Sequence, residues 1–423
     1  MKNNGILALS PIIVLLATYL GGALIAGDFY RIPITVSFVV AIIYGTLLLR
    51  GKSTLHKINL LSQGAANPDI MYMIWIFCMA GIFASSAKSM GAVDATVMLT
   101  LKCIPGELLP MGIFIASCFI SMAIGTSVGT IVALTPVVTA TAEHIGCPIA
   151  WLTAIVVGGA FFGDNLSFIS DTTIAATQSQ GCRMSDKFKT NILIVLPAAI
   201  ITICIYIFGN QAGGYIAPQE SVEWYKIVPY LLVIILALAG INVLTVLFIG
   251  IIATNAIGLI GGSIDILGMF TAAGSGLGSM CELILVTLLA GGLMNIIKDL
   301  GGFDYLIRVL TSKIGSKRGA EAVISLTTAL SNFCTANNTI AILTTGSIAR
   351  DLSQKYSISP RRSASILDTS SCFVQGIIPY GAQLLMASGL ASVSPVEIIP
   401  HLYYPFLVGA AVILSILTGF PKK

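Results

Sequence analysis

Apolar residues run along this chain in long unbroken stretches, neither alternating with polar ones nor confined to one helical face. Each stretch is close to the ~20 residues that carry an α-helix across ~30 Å of hydrocarbon. Backbone groups in lipid have no water to bond, so a spanning segment must be a helix or part of a closed barrel. Continuous rather than period-two patterning selects helices. The pattern predicts spans near 5–25, 32–49, 70–87, 149–178 and 188–208 in the first half of the chain. In the second half it predicts them near 226–239, 241–260, 281–297, 363–390 and 400–419. Two more segments, 108–142 and 320–349, are interrupted; the first breaks at Gly125–Thr130 into arms of about 16 residues. Such arms suit a re-entrant hairpin dipping to the midplane, with two short full spans as the alternative. The longest polar stretches, 50–69, 209–226, 298–320 and 350–363, read as loops or short surface helices. Met1-Lys2 followed by an apolar run has the outline of a secretory signal. Further spans follow at once, so it reads as an uncleaved first helix.

Composition agrees. Of 423 residues, 56% are hydrophobic and 9% charged, against roughly 25% charged in soluble domains. A chain this poor in charge cannot cover a water-facing surface, and nothing in it suits nucleic acid. Nine cysteines are scattered without paired spacing, and three histidines are dispersed. They point to neither a disulfide framework nor a metal centre, and no cofactor is expected.

The chain also matches itself. Ala80-Gly81 corresponds to Ala290-Gly291, and Lys88, Gly91 and Asp94 to Lys298, Gly301 and Asp304, at an offset of 210; Thr126 and Thr130-Ile131 match Thr335 and Thr339-Ile340 at 209. Residues 1–210 and 211–423 therefore read as two repeats, each with about five spans, one hairpin (108–142, 320–349) and one broken helix (149–178, 363–390). Two such halves with a site between them are a common plan of secondary transporters. With the N-terminus inside, 18 of the 22 basic residues fall on inner loops, Arg183, Lys187, Lys189 and Arg362 among them. Cytoplasmic loops are enriched in this way, which places both termini in the cytoplasm. An odd number of spans per half makes the halves inverted. The expected fold is an all-α polytopic membrane protein of two inverted repeats, with broken helices at the midplane.

Ionisable groups inside a bilayer are costly and mark ion paths. Asp164 and Asp171 bracket the run FGDNLSFISDTT, where Asn165, Ser167, Ser170, Thr172 and Thr173 add oxygen ligands. Freed carbonyls and helix C-termini there favour a cation. The matching run in the second half, LDTSSCFVQGIIPYG, offers Asp368, Thr369, Ser370, Ser371 and Gln375. The hairpin tips add Thr126, Ser127 and Thr130 on one side, and Asn332, Thr335, Asn337, Asn338 and Thr339 on the other. Two tips and two broken helices can meet in one polar chamber, with Na+ at Asp164 and Asp171. Glu282, at the start of a span near the outer face, is open to either a structural or an ionic role.

At FGDNLSFISDTT the sequence resembles the NhaC-type Na+/H+ antiporters, a branch of the ion transporter superfamily. Gly163, Asp164, Ser167, Ser170, Asp171, Thr172 and Thr173 match that family's run, and Asp368 and Pro379 match a second segment. Asn165 stands where the family usually has a basic residue, Phe168 replaces a proline, and Leu367 replaces an acidic neighbour of Asp368. The resemblance implies a bacterial inner-membrane carrier of inverted repeats, working as an elevator, with Na+ and H+ as transported ions. Burial penalises a bare carboxylate and a bound cation relieves the penalty, so one site can hold either ion in turn. The second reading is a Na+-coupled carrier of an organic anion or amino acid, whose carboxylate Asn337-Asn338 and Thr126-Ser127 could grip. No buried arginine is evident to pair with a dianion. Membrane lipid is the expected environment; a small organic solute and a homodimer stay open. A membrane-embedded aspartyl protease lacks its second aspartate motif here, so no enzyme activity is expected.

Overall fold

The computed structural model describes residues 5–22, 33–103, 105–167, 170–209, 223–239, 241–311 and 314–421, and all regular structure among them is helical. In the first half the α-helices are α1 (Ser10–Leu16), α2 (Ile34–Leu48), α3 (Thr54–Ala65), α4 (Pro68–Met90), α5 (Ala92–Cys103), α6 (Leu109–Ile124), α7 (Ser127–Ile145), α8 (Ile149–Leu166), α9 (Asp171–Gln180) and α10 (Met184–Phe208). The second half follows with α11 (Trp224–Leu238), α12 (Val243–Ile260), α13 (Ile266–Ser279), α14 (Cys281–Asp299), α15 (Gly302–Thr311), α16 (Lys317–Thr335), α17 (Asn338–Lys355), α18 (Pro360–Ile377), α19 (Ala382–Ala391), the short α20 (Pro395–Ile398) and α21 (Tyr403–Thr418). Local chemistry sets many of the starts. Ser53, Asn242, Asp265, Ser316 and Asn337 each accept a hydrogen bond from a backbone N–H of the turn they open, as N-caps do.

Six helical runs among the described residues are long and apolar enough to cross a membrane, or seven counting the run Pro360–Ala391 with Pro395–His401, bent by 101°. Several segments expected as spans are shorter apolar helices, including Ser10–Tyr19, Ile34–Leu48, Trp224–Leu236 and Tyr403–Thr418. At 1.5 Å per residue, a helix of about 16 residues covers only about 24 Å. The polar stretches 50–69 and 298–320 hold α3 and α15, and α5 and α13 lie between expected spans; the apolar pattern separated none of the four.

Helices of the same kind recur in the same order. The first half's hairpin breaks at Gly125, left-handed at φ 77°, and restarts from Thr126 at φ −145°, ψ 127°. The second breaks at Ala336, left-handed at φ 51°, and restarts from Asn337 at φ −144°, ψ 117°. The broken helices stop at Ser167 and Ile378, both extended, and restart after Ser170 and Gly381, both extended. All four correspondences share one register of 211, the separation of Gly125 from Ala336 and of Ser167 from Ile378. The sequence offset of 209 at the tips was therefore two residues short. Thr126 corresponds to Asn337 rather than to Thr335, and Asp164 corresponds to Gln375.

Packing falls into two groups. Helices α1–α4 and α11–α14 pack on one another; α6–α10 and α16–α21 form a second, polar-centred bundle. Contacts are exchanged between the halves: α13 lies on α4 as α3 lies on α14, and α9 lies on α17 as α19 lies on α7. Glycine makes the first exchange possible. A Cβ on Gly276 would collide with the Gly81 carbonyl and one on Gly81 with the Gly276 carbonyl; Gly64 and Gly291 stand in the same reciprocal relation. Small residues let helix backbones approach closely, the usual source of association between helices in lipid.

Candidate functional site

The breaks in α6–α7, α8–α9, α16–α17 and α18–α19 converge on one chamber of about 270 Å³. Its lining includes Thr126, Ser127, Asp164, Ser170, Asp171, Thr172, Asn337, Asn338, Thr339 and Gln375, all expected from sequence. Gln383 on α19 joins them, and Tyr72 on α4 and Asn242 before α12 close the wall from the other helix group. A larger cavity of about 660 Å³ reaches towards Lys298 and Asp304 and shares Met73, Asn337 and Ala382 with the chamber.

Asp164 is 3% exposed, at the C-terminal end of α8. Its Oδ1 accepts a hydrogen bond from the Ser127 backbone N–H at 3.1 Å, so the carboxylate caps α7, where Thr126 makes no side-chain cap. An acidic group at a helix N-terminus is electrostatically favourable. Thr172 Oγ1 donates to the Asp164 carbonyl at 3.3 Å and lies 2.9 Å from Ser170 Oγ. Asp171, expected beside Asp164, lines the same chamber and is exposed, in the first turn of α9. The expected freed carbonyls are also engaged: that of Gly163 accepts the Ser167 N–H, and that of Asn165 accepts two side-chain donors. Carboxylate, hydroxyl and amide oxygens of the lining remain as cation ligands in the chamber.

The amide bridge opposite Asp164 escaped sequence reading. Gln383 Nε2 donates to Ser127 Oγ at 3.0 Å, and Gln375 Nε2 donates to Gln383 Oε1 at 2.8 Å and to the Ala336 carbonyl at 2.9 Å. It links one hairpin tip to the other through the break of α18–α19. Its sequence signal was Gln383 at 211 residues from Thr172, a polar group four residues beyond Pro379.

Asp368 belongs to a different cluster. Its carboxylate is fully buried and meets Lys187 Nζ at 2.6 Å and Asn191 Nδ2 at 2.7 Å, both from α10. Lys187 is 1% exposed and also donates to Thr173 Oγ1 and the Asn165 carbonyl. Lys187, expected on an inner loop as an orientation signal, lies on α10 and is buried. The first turns of α10 carry it inward, because α10 begins at Met184 rather than at 188. Arg362, counted in the same way, is buried against Glu321 at 2.9 Å. A cation does lie beside the site, although no arginine was evident there. It meets the backbone of Asn165, where the resemblance noted a missing basic side chain. Phe168, the other departure in that run, lies outside the described residues.

The remaining expected residues tie helices together. Ser167 Oγ donates to the Met122 carbonyl, Asn332 Nδ2 to the Ser371 carbonyl, and Ser370 Oγ pairs with Ser325 Oγ at 2.8 Å. Thr130 and Thr369 bond back to carbonyls four residues earlier, and Ser371 to that of Asp368. Thr335 bonds to the Asn337 carbonyl and lines the larger cavity. Glu282 is exposed and lines a separate cavity of about 390 Å³ with Tyr19 and Ser394.

A buried carboxylate opening onto an oxygen-lined chamber between two helix groups fits a cation carrier. The description of the Na+/H+ antiporter family matches residues 4–210 and 221–421 of this chain. The chain belongs to the Na+/H+ antiporter family. This antiporter is 25% identical over 387 residues to the Na+/H+ antiporter NhaC of Bacillus subtilis strain 168, covering 83% of this chain and 84% of that one. It is 23% identical over 425 residues to NhaC of Alkalihalophilus pseudofirmus, covering 92% and 90%. It is 21% identical over 459 residues to a malate-2H+/Na+-lactate antiporter of Bacillus subtilis, covering 100% and 97%. The antiporter is thus a multi-pass membrane protein of a transporter family, not of an enzyme family, and the family implies Na+ and H+ as the transported ions.

Proposed function

We propose that this antiporter exchanges Na+ for H+ by alternating access, with Asp164 as the group both ions share. The observation that carries the reading is the Asp164 carboxylate: buried, held at the break of α8, and opening onto a chamber of hydroxyl and amide oxygens. A bare carboxylate cannot cross the bilayer core cheaply. The carrier therefore moves when Asp164 holds Na+ or a proton and stalls when it holds neither, and exchange follows. Asp171 contributes to the Na+ site from its exposed position on the chamber wall.

Residues 1–210 and 211–423 act as inverted repeats in this reading. The bundle of α6–α10 and α16–α21 carries the site across, while α1–α4 and α11–α14 hold still. The exchanged helix contacts and the shared register of 211 support it. The basic-loop bias supports cytoplasmic termini, and family likeness supports a bacterial inner membrane. The deciding experiment is reconstitution into liposomes with an imposed Na+ gradient and an internal pH dye. Proton movement should follow the Na+ gradient in the native protein and vanish in Asp164→Asn. Undiminished exchange by the variant would remove Asp164 from the mechanism.

A second reading has its own observation. The first residues of α7, α9, α17 and α19 all line the chamber, and helix N-termini carry partial positive charge. They suit the carboxylate of an organic acid travelling with Na+, as the name of the malate and lactate relative suggests for that protein. Na+-dependent uptake of labelled carboxylic acids by the same vesicles would select this reading over simple exchange.

A further inference from the structure

Beneath the break between α8 and α9 lies a second set of oxygens that does not line the chamber. Lys187 Nζ sits among Asp368 Oδ2 at 2.6 Å, Thr173 Oγ1 at 2.7 Å and the Asn165 carbonyl at 2.8 Å. An ammonium has three donors, and each finds an oxygen. Asn191 Nδ2 bridges Asp368 Oδ2 and the Asn165 carbonyl at 2.7 and 2.9 Å. Asp368 Oδ1, Asn165 Oδ1 and Asn191 Oδ1 are buried nearby and accept no hydrogen bond among the described residues. Carboxylate, carbonyl, hydroxyl and amide oxygens are the donor set of a hard monovalent cation.

Charge decides what the lysine is for. Asp164 and Asp368 are both buried, and two neighbours on α9 connect their surroundings: Thr172 bonds to the Asp164 carbonyl, and Thr173 accepts from the Lys187 that pairs with Asp368. With Lys187 the set carries one negative charge, which one Na+ or one proton neutralises. Without it the set carries two. Arg362 and Glu321 cancel each other elsewhere; Asp171 lines the chamber from an exposed position, where water weakens its charge, and it is counted outside this buried set. We propose that the oxygens around Lys187 form a second monovalent-cation site, permanently filled by the tethered ammonium, which limits the carrier to one mobile cation per cycle. The proposal rests on the reading of Asp164 as the exchange site.

The test is ²²Na+ binding to the purified full-length protein in detergent at alkaline pH. The native protein should bind one Na+ with hyperbolic saturation. Lys187→Ala, which opens the cradle, should bind two. Asp368→Asn leaves Lys187 to offset Asp164, and Na+ affinity should fall by about tenfold or more although Asp368 does not line the chamber. Lys187→Met with Asp368→Asn should restore single-site binding to within about threefold of native. A Lys187→Ala protein that binds one Na+ at native affinity would overturn the proposal. So would a double variant as weak as Asp368→Asn, which is the signature of a purely structural pair; this comparison decides the matter even if Lys187→Ala fails to fold. A native protein that binds no Na+ would instead remove the exchange site itself.

Discussion

The Asp164 carboxylate holds the backbone N–H of Ser127, 3.1 Å away, and so joins the broken helix of the first half to the tip of its own hairpin. From Ser127 Oγ the bonding continues through Gln383 and Gln375 to the Ala336 carbonyl at the other tip. A proton or cation on Asp164 competes with that N–H for the carboxylate's negative charge. In the proposed exchange, occupancy of the chamber would be felt first where α7 begins, and then across to the second hairpin.

Asp171 offers a contrast. It lies in the same chamber but is exposed, in the first turn of α9. Charges near water interact about fivefold or more weakly than charges in a dry interior. Asp171→Asn should therefore raise the Na+ concentration for half-maximal exchange by about three- to tenfold while leaving coupled exchange intact, whereas Asp164→Asn abolishes it. Concentration series in the reconstituted dye assay separate the two outcomes. Loss of exchange in both variants would mean that the carboxylates act as a unit.

In the proposed exchange, competition for Asp164 fixes the sign of the pH dependence. A proton removes the charge that binds Na+, so Na+ affinity must fall as pH falls. Where the protonated form predominates, the half-saturating Na+ concentration should rise about tenfold for each pH unit of acidification, levelling off where the carboxylate is already ionised. Measuring half-saturation across about pH 6 to 9 tests it, and a pH-independent value would show that the two ions use different groups.

Much of this arrangement was legible in the sequence because hydrophobic run length and helix-breaking residues are local signals. The hairpin break at Gly125-Thr126 and the stops at Ser167 and Ile378 come from such signals. What the sequence hid depends on register and on helical phase. Thr126 and Thr335 are identical letters two residues out of register, whereas the equivalent backbone belongs to Asn337. Lys187 stands in a run that also holds Arg183 and Lys189 and resembles a loop cluster. Only its position at the end of the first turn counted from Met184 turns it inward while Lys189 stays exposed. Gln383 carried no charge to draw notice in an apolar helix.

Register yields a further prediction. Gln375 occupies in the second half the place of Asp164 in the first, with an amide where the first half has a carboxylate. The antiporter therefore has one ionisable group at this pair of equivalent positions. Gln375→Glu supplies the second, buried beside Ala336 and Gln383. It should add a titrating group to the chamber, steepen the dependence of exchange on pH, and raise the number of charges moved per cycle. Current measured on solid-supported membranes reports that number directly. A variant with native current and native pH profile would show that the two positions are not functionally equivalent.

The exchanged glycine contacts locate the part of the molecule that tolerates least change. Gly81 and Gly276 press backbone on backbone, and a Cβ on either collides with the other's carbonyl, which cannot move aside as a flexible side chain would. Both lie in the group of helices proposed to stay fixed, and neither lines the chamber itself. Gly276→Leu must push α13 off α4, forfeiting close packing along both helices. Overpacking of this kind costs about 1–3 kcal/mol in protein cores, enough to lower the midpoint of thermal unfolding in detergent by several degrees. Gly274→Leu is the control, since a Cβ there meets nothing within 4 Å. If the first helix group is only a scaffold, Gly276→Leu should reduce stability and the amount of folded protein while Na+ affinity per folded molecule stays near native. A lowered affinity with unchanged unfolding would instead show that α4 and α13 shape the chamber, through Tyr72 and Met73 on its wall.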